Sequence, residues 1–513
     1  MMNSDNILCI RNMNKSALFL PLLGVVPQLA NAQKPNVILI LADDMGYGDV
    51  SSLNPESKIH TENIDALGRC GITFTDAHAS SSLSTPSRYS IVTGRYSWRT
   101  EMKYGVYDGY HQGAMINEGR STIATMFSKS GYDTACFGKW HLGWNWTLKE
   151  NAKNNKDVDF TKPVTNGVTT RGGFDHFFGI VASLDMPPYV YVKDDMPTAV
   201  PDRIAEKMTG TKLFRSGPIA PDFKPEECLE KFFACSIDYV NGHKDSDRPF
   251  FLYMPLNAPH TPILPSKEYE GRSGIGPYGD YILMMDDLIG RLVQTLKDNG
   301  QWENTILVFT SDNGCAPAID ISVLENQGHY PSYIYRGYKT DIYEGGHRLP
   351  LIVTYGSRYK GTTDDSLICL SDFFATFADM TGYELQDNEA EDSFSFWNIL
   401  SGRGKGTRKD LVTLSGKGAL AYRSKDSKLI FYAGSGGQSY PNAKQLEGLP
   451  EMQLYDLSTD PGEKNNLIGE KKYRRLIKKF SRKMREYVDN GRSTPGAPQS
   501  NEGEKEWEFT KLF

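Results

Sequence analysis

Beyond its first 32 residues, the 513-residue sequence contains no apolar run long enough to span a bilayer. It also lacks a long basic run and an internal repeat, and its formal net charge is −6, from 57 Lys and Arg residues against 63 Asp and Glu residues. With 39% hydrophobic and 23% charged residues, it is not a polytopic membrane protein, a coiled coil or a disordered chain. The absence of basic clusters argues against a nucleic-acid partner. We therefore expect a globular chain with no membrane span, built as two domains or as one large domain with an appendage.

The first 32 residues are predicted to form a secretory signal peptide. Arg11 and Lys15 supply its positive charge, and the apolar run Ser16–Val26 is too short for a transmembrane helix. Small residues at positions 30 and 32 fit a cleavage site that leaves Gln33 as the new amino terminus. A buried amino-terminal helix is the alternative. We expect the mature protein to be secreted or periplasmic.

Cysteines are scarce, and none has the spacing of a zinc finger. Cys9 lies before the apolar run of the predicted signal, so no lipid anchor is indicated. Export would permit disulfides, but the sequence does not select among the possible pairings. We expect most of the other cysteines to be buried free thiols: Cys70, Cys136, Cys228, Cys235, Cys315 and Cys369.

Three continuous apolar runs predict strands that are buried on both faces of a sheet: Asn36–Ala42, Phe250–Pro255 and Thr305–Thr310. Helical stretches are predicted between them, at about 121–130, 225–242 and 278–299. This alternation predicts an α/β fold, in which a large mixed sheet is sandwiched by helices. Ligands of such sheets bind at the carboxyl ends of the strands. We therefore expect the polar residues that follow the three runs to converge on one site: Asp43 and Asp44, Asn257 to His260, and Ser311 to Asn313.

The composition of the sequence changes after about residue 401, where a Gly-rich basic segment indicates a domain boundary. We predict a catalytic domain over residues 33–405 and a smaller α+β subdomain over residues 406–513, built on a short antiparallel sheet. Its strands are predicted at 411–414, 420–423, 428–432 and 453–456, followed by a basic helix at 471–490. The polar tail, residues 493–513, is expected to pack loosely.

One short motif carries most of the chemistry. Ser84-Thr85-Pro86-Ser87-Arg88 is followed by Thr93-Gly94-Arg95. This pattern resembles the signature of type I sulfatases of the alkaline phosphatase superfamily, which begins with Cys or Ser and closes with Thr-Gly-Arg. The resemblance implies an alkaline phosphatase-like fold. It also implies that Ser84 is oxidised to formylglycine by the radical maturing enzyme that serves serine-type sulfatases.

Other segments match the family in its order along the chain, and the resemblance runs from about residue 35 to residue 490. The matching segments are Leu41–Asp49, Gly138–Gly143, Gly173–Gly179 leading to Ser183, Ala258–Pro262, Ser311–Gly314, Lys339 with Tyr343–Pro350, and Leu454–Asn465.

The residue types predict a metal site even when the family resemblance is set aside. Asp43, Asp44, Asp312 and Asn313 offer hard oxygen ligands and no soft ligand, which suits Ca²⁺ or Mg²⁺ rather than zinc. An Asp-Asp pair can equally be a helix cap or a turn, but two acidic strand ends in one chain weaken that reading. We expect Ca²⁺, with Mg²⁺ less favoured, and the resemblance adds Ser84 to the metal ligands.

The resemblance also implies the roles of the catalytic residues. Arg88, Lys139 and Lys339 would hold the sulfate oxygens, since charge-assisted hydrogen bonds bind anions best. Ser183 would donate a further hydrogen bond to the sulfate. His260 would protonate the departing sugar, and His141 would deprotonate the second hydroxyl of the formylglycine hydrate.

The substrate expected from an exported sulfatase is an external sulfated carbohydrate. The stretches Gly173–Asp185 and Lys139–Trp146 most resemble the N-acetylgalactosamine-6-sulfatase and arylsulfatase A branch, which implies 6-sulfate on galactose or N-acetylgalactosamine. Asp185 and His176 are candidate ligands of sugar hydroxyls, and capping or support of neighbours is an equal alternative for both. Two other functions stay open: a phosphodiesterase or phosphonate hydrolase of the same superfamily, and a catalytically dead protein that binds sulfated glycans.

Overall fold

A ten-stranded sheet runs through the molecule and determines where the site lies. The computed structural model describes residues 34–504 and 507–513, so the predicted signal peptide at residues 1–32 lies outside the described residues. In chain order the strands are β1 (Asn36–Ala42), β2 (Ile72–Phe74), β3 (Ala77–His78), β4 (Asp133–Lys139), β5 (His176–Ile180), β6 (Val192–Lys193), β7 (Met196–Pro197), β8 (Arg203–Ala205), β9 (Gly217–Ile219), β10 (Phe250–Pro255), β11 (Thr305–Ser311), β12 (Leu351–Tyr355), β13 (Thr362–Asp364), β14 (Ile368–Cys369), β15 (Asp410–Leu414), β16 (Leu420–Ser424), β17 (Ser427–Ile430) and β18 (Gln453–Asp456).

The large sheet has the strand order β13-β2-β12-β11-β1-β10-β4-β5-β6-β7. Its five central strands, from β11 to β5, are parallel, and antiparallel pairs flank them, so the predicted mixed sheet is confirmed. In the register, Leu41 of β1 lies beside Pro255 of β10 and Thr310 of β11. The carboxyl ends of these three strands therefore meet at one edge, as the sequence predicts.

Ten α-helices accompany the sheet in the described residues. They are α1 (Glu62–Cys70), α2 (Ser84–Thr93), α3 (Ile123–Lys129), α4 (Cys228–Gly242), α5 (Pro277–Asp298), α6 (Ile321–Asn326), α7 (Glu344–His347), α8 (Phe373–Thr381), α9 (Trp397–Leu400) and α10 (Arg474–Asp489). The helices predicted near 121–130, 225–242 and 278–299 correspond to α3, α4 and α5, with α4 preceded by one 3₁₀ turn.

Alternate residues of β1 enter two different hydrophobic cores. Val37, Leu39 and Leu41 pack with α2, α3 and α8, whereas Ile38 and Ile40 pack with α1, α4 and α5. Successive side chains of a strand point to opposite faces, so a strand covered by helices on both sides needs apolar residues at every position. This is why the buried strands are continuous apolar runs in the sequence.

A four-stranded antiparallel sheet, β15-β16-β17-β18, forms the predicted carboxyl-terminal subdomain and packs against α10. Its edge strand reaches the core, because Leu414 N–H donates to Ser80 O (2.9 Å) and Leu414 O accepts from Ser82 N–H (2.9 Å). The residues just before Ser84 are thus held by the small sheet. Residues 34–513 form one structural unit, and the boundary at residue 405 stays a prediction.

The carboxyl-terminal tail packs more closely against the core than the sequence predicts. Arg95 donates to Ser500 O (3.0 Å), Arg99 donates to Asn501 Oδ1 (3.1 Å), and Glu502 N–H donates to Arg99 O (2.7 Å). Loose packing was the wrong prediction, because buried arginines far away in the sequence need acceptors, and the polar tail supplies them.

The six cysteines within the described residues are unpaired, which agrees with the expectation of free thiols. Cys228 and Cys235 both lie on α4. None of the helices in residues 34–504 and 507–513 is both long and apolar enough to cross a membrane.

Candidate active site

The carboxyl end of β1 presents two adjacent buried carboxylates. Asp43 N–H donates to Ala258 O (2.8 Å), which ties the strand end to the loop that follows β10. Asp44 has a φ of 65°, and its N–H donates to Asp312 Oδ1 (3.1 Å). The two aspartates and Asp312 are fully buried. Three carboxylates thus lie together where unbalanced charge would be costly.

Two of these carboxylates pair with cations from neighbouring elements. Lys139, the last residue of β4, places Nζ 2.9 and 2.7 Å from Asp43 Oδ1 and Oδ2. Arg88 of α2 donates from Nε (3.0 Å) and Nη2 (2.8 Å) to Asp312 Oδ2, and from Nη1 (3.0 Å) to Lys139 O. These buried pairs bring β1, β4, α2 and the end of β11 to one point.

The third carboxylate pairs with Lys339, whose Nζ lies 2.7 Å from both Asp44 oxygens. The next residue, Thr340, has a φ of 79°, which is strained for a β-branched side chain. Its hydroxyl is buried and finds no hydrogen-bond partner among the described residues. Thr340 N–H donates to Ser82 O (2.8 Å), and Thr340 O accepts from Gly416 N–H (2.8 Å). Tertiary hydrogen bonds therefore hold Lys339 in place against local strain.

Ser84 is the first residue of α2 and lies inside this charged cluster. Its Oγ is 3.4 Å from Asp43 Oδ1, 3.4 Å from Lys139 Nζ and 3.5 Å from Asn313 Oδ1. Every residue of α2 is buried, and the positive end of the helix dipole at its first turn favours negative charge there. The geometry suits a group at residue 84 that reacts with an anion.

The surrounding charges set the ionisation of the two aspartates. Burial alone would raise the pKa of Asp43, but Lys139 and its neighbours outweigh burial and hold that pKa well below its usual range. Burial opposes ionisation of Asp44 as well, and Lys339 is the largest of the charges that lower its pKa. Both carboxylates are therefore ionised at neutral pH.

The donors fit a hard divalent cation. Asp43, Asp44 and Asp312 supply carboxylate oxygens. The amide nitrogen of Asn313 donates to Asp44 Oδ1 (2.6 Å), and its carbonyl oxygen lies 3.5 Å from Ser84 Oγ. Asp43, Asp44 and His260 also form a group whose ligand atoms lie within 4.8 Å of one another. The oxygen-rich set agrees with the predicted Ca²⁺ or Mg²⁺.

A second buried group of potential ligands, His78, Glu344 and His347, does not fit a metal in the same way. Arg423 Nη1 lies 2.9 Å from His78 Nε2, and Lys428 Nζ lies 3.0 Å from Glu344 Oε1 and 3.2 Å from His347 Nε2. This group offers two imidazole rings and one carboxylate, so it lacks the cluster of hard oxygens that the first group presents.

The two predicted catalytic histidines have different surroundings. His260 Nδ1 lies next to a backbone carbonyl, and its Nε2 lies 3.5 Å from Asp44 Oδ2, so both nitrogens face acceptors. His141 Nε2 donates to Tyr107 O (2.9 Å), whereas its buried Nδ1 has no hydrogen-bond partner within residues 34–504 and 507–513. Burial, Lys139 and Arg88 lower the pKa of His141 well below its usual value. The surroundings suit a neutral His141 that keeps the lone pair on Nδ1, whereas both nitrogens of His260 face acceptors.

The structure places Ser183 and Asp185 in the loop that follows β5, and both are buried. This loop lies beside His141, because His141 N–H donates to Val181 O (2.9 Å). Asp185 Oδ2 lies 3.3 Å from Arg215 Nη2, and Asp185 Oδ1 is buried with no hydrogen-bond partner in the described part of the chain.

His176 lies elsewhere. It opens β5, beside Ala135 in the register, whereas the site lies at the level of Lys139 and Ile180. The separation along the strand is roughly 13 Å at 3.3 Å per residue. Its ring is half exposed and faces Asp133 (3.6 Å) at the opposite edge of the sheet. The expected sugar contact is therefore corrected: His176 lies outside the site.

Sequence reasoning missed two features of the site, both of them properties of the backbone. Tyr107 orients His141 through its carbonyl oxygen, and Thr340 fixes the strained turn next to Lys339. A carbonyl acceptor leaves no mark in the sequence. A positive φ is typical of Gly and enriched at Asn, Asp and His, and residue 340 is none of these.

The mixed sheet, with its cluster of buried carboxylates and cations at the carboxyl edge, agrees with the alkaline phosphatase-like fold that the sequence motifs imply. The Sulfatase family model matches residues 35–383, and the model described as N-sulphoglucosamine sulphohydrolase, C-terminal, matches residues 337–490. The chain belongs to the sulfatase family, and it is an enzyme that hydrolyses sulfate esters.

Curated relatives and a solved structure support this assignment. The chain is 32% identical over 490 residues to an N-acetylgalactosamine-6-O-sulfatase of Bacteroides thetaiotaomicron, covering 88% of this chain and 92% of the relative. It is 30% identical to human arylsulfatase A, covering 87% and 86%. A solved 6S-sulfatase structure from work on glycosaminoglycan metabolism by Bacteroides thetaiotaomicron superposes with a TM-score of 0.78 at 31% identity, covering 89% of this chain and 99% of that one.

Proposed function

We propose that this protein is an exported sulfatase that removes 6-O-sulfate from galactose or N-acetylgalactosamine units of glycans. Its nucleophile would be a formylglycine made from Ser84 by a sulfatase-maturing radical enzyme, and its metal ion Ca²⁺. The observation that carries the proposal is the position of Ser84 Oγ, within 3.5 Å of Asp43, Lys139 and Asn313 at a buried helix terminus. The preference for 6-sulfate rests on the 32% identity to an N-acetylgalactosamine-6-O-sulfatase.

The metal ligands would be Asp43, Asp44, Asp312, Asn313 and residue 84 after its modification. A bound Ca²⁺ would polarise the attacking oxygen and neutralise charge on the sulfate. Formylglycine supplies an aldehyde hydrate, with one hydroxyl to attack sulfur and a second whose deprotonation expels the sulfate.

Binding of the sulfate is assigned to Lys139, Lys339 and Ser183. The two ammonium groups retain N–H donors that can turn towards a sulfate oxygen, since each ammonium carries three. Arg88 differs, because its Nε, Nη1 and Nη2 already donate to Asp312 and Lys139 O. We therefore assign Arg88 mainly to holding Asp312 and Lys139 in place.

The two histidines divide the proton transfers. His260, with both nitrogens facing acceptors, suits the acid that gives a proton to the sugar oxygen as its bond to sulfur breaks. His141, with a free Nδ1, suits the base that takes a proton from the second hydroxyl of residue 84. Loss of that proton lets the carbon–oxygen bond to sulfate break and the aldehyde re-form.

The direct test is sulfate release from a panel of defined sulfated mono- and disaccharides, with the protein co-expressed with a maturing enzyme. We expect release from 6-sulfated galactose or N-acetylgalactosamine, and a residue-84 peptide lighter by two hydrogen atoms. A matured protein that releases no sulfate from 6-sulfated sugars would contradict the substrate assignment. Phosphate ester hydrolysis faster than sulfate release would favour a phosphodiesterase.

His260→Gln is expected to lower sulfate release from a sugar sulfate by about 10³-fold, because the sugar alkoxide is a poor leaving group without a proton. The rate of aryl sulfate hydrolysis should fall far less, since a phenolate can leave without a proton. Rates of sugar and aryl sulfate hydrolysis would be measured side by side. His176→Gln is the matched control, because His176 lies at the other edge of the sheet, and it should leave both rates unchanged. Equal losses on the two substrates would contradict the acid role of His260.

A further inference from the structure

A two-stranded ribbon over residues 203–219 carries two cations that the proposed mechanism does not use. β8 pairs antiparallel with β9 in a register that joins Arg203 to Ile219 and Ala205 to Gly217. The same register continues to the bridge between Met208 and Phe214. It therefore sets Lys207 directly opposite Arg215.

Opposed like charges on a ribbon are unfavourable by themselves. Side chains directly opposite on antiparallel strands have Cβ atoms about 5 Å apart, and like charges there destabilise the pair. Both residues are exposed. Within the described residues, Lys207 has no ion-pair partner, and Arg215 has one, the carboxylate of Asp185 (3.3 Å). An anion that binds between the two cations would relieve this repulsion.

The ribbon is anchored to two loops of the active site. At one point, Arg215 N–H donates to Tyr189 OH (3.1 Å), and the Arg215 side chain contacts Asp185, two residues after Ser183. At the tip, Thr211 O accepts from Ile263 N–H (2.8 Å), three residues after His260. The pair of cations is thus attached to the loops that carry Ser183 and His260.

We propose that Lys207 and Arg215 form a subsite for an anionic group on the sugar next to the sulfated one, either a uronate carboxylate or a second sulfate. This inference rests on the proposed function, because it assumes that the sulfated sugar binds at residue 84. Asp185 would link the subsite to the sulfated sugar. Its Oδ2 contacts Arg215, while its buried Oδ1, which has no partner among the described residues, can accept a hydrogen bond from a sugar hydroxyl. The subsite makes the enzyme prefer polyanionic glycans.

Binding is measured first, in a protein that carries Ser84→Ala so that no turnover occurs. The probes are 6-sulfated N-acetylgalactosamine linked to glucuronate, to neutral galactose and to sulfated galactose, titrated calorimetrically. We expect tighter binding of an anionic probe than of the neutral one, and Lys207→Gln should lower this preference by about tenfold. Arg215→Gln should lower it too. Which anionic probe binds more tightly identifies the carboxylate or the sulfate as the ligand.

Arg203→Gln is the matched control, because Arg203 lies on the same ribbon, is exposed and, among the residues that the structure describes, pairs only with Asp202 (3.0 Å). It should leave the preference unchanged. The subsite would be overturned if the protein with an unsubstituted ribbon bound neutral and anionic probes equally well. It would also be overturned if Arg203→Gln lowered the preference for anionic probes as much as Lys207→Gln does.

The same preference is then measured as a ratio of kcat/KM values in the matured enzyme. If the enzyme releases no sulfate from any probe, the proposed function fails, while the binding preference still decides the subsite. If sulfate is released without a preference that depends on Lys207, the proposed function stands and the subsite is overturned.

Discussion

Ser84→Ala is expected to lower sulfate release by at least about 10⁴-fold, because it removes the side chain from which the nucleophile would be made. The folded structure should barely change. Ser84 Oγ makes contacts of only 3.4–3.5 Å, and a methyl group occupies less space than the hydroxymethyl group it replaces. Sulfate release from a 6-sulfated sugar and the thermal unfolding midpoint would be measured on the same preparation.

Ser84→Cys is the matched control for this loss. Formylglycine forms from Cys or Ser in this family, so a co-expressed maturing enzyme that accepts Cys should restore turnover. The peptide mass shows whether residue 84 was converted. A fully active Ser84→Ala protein would contradict the mechanism.

Arg88→Met is expected to damage both stability and activity. Arg88 is fully buried and donates twice to Asp312, so its loss leaves that carboxylate without its cation. Removal of one partner from a buried ion pair costs about 3–5 kcal/mol of unfolding free energy. Activity should fall as well, because Arg88 also holds Lys139 through its carbonyl oxygen (3.0 Å). Urea unfolding of the metal-free protein measures the first effect, and sulfate release measures the second.

Arg291→Met provides the comparison for an exposed arginine. Arg291 lies on α5 and is 3.9 Å from Glu268, with both side chains more than half exposed. An exposed pair of this kind contributes at most about 1 kcal/mol. If Arg88→Met destabilises the protein no more than Arg291→Met does, the buried ion pair does not stabilise the fold to the expected extent.

The sequence predicts the strands at the centre of the fold correctly because each of them is buried on both faces. Asn36–Ala42 and Phe250–Pro255 are continuous apolar runs, and their bounds agree with the structure. Short edge strands such as β6 and β7, of two residues each, carry no comparable pattern. They exist because the neighbouring backbone offers hydrogen bonds, which a local sequence does not reveal.

In the active site, too, some features are predicted by the sequence and others depend on the tertiary structure. Asp43, Ser84, Lys139 and Asp312 were identified by residue type within motifs, and the structure brings them into direct contact. His176 lies in a matching segment too, yet the structure places it at the far edge of the sheet. A matching segment indicates a shared strand, but only the direction and register of that strand decide which end faces the ligand.

By itself, the sequence determined the fold class, the central strands and the chemical character of the site, because these depend on residue type and local pattern. The tertiary structure alone decided how the charges are paired and which nitrogen of His141 faces an acceptor. It also decided the strained turn at Thr340 and the opposition of Lys207 to Arg215. These features depend on contacts between residues far apart along the chain, such as Lys339 with Asp44 or Arg215 with Asp185, and no local pattern encodes such contacts.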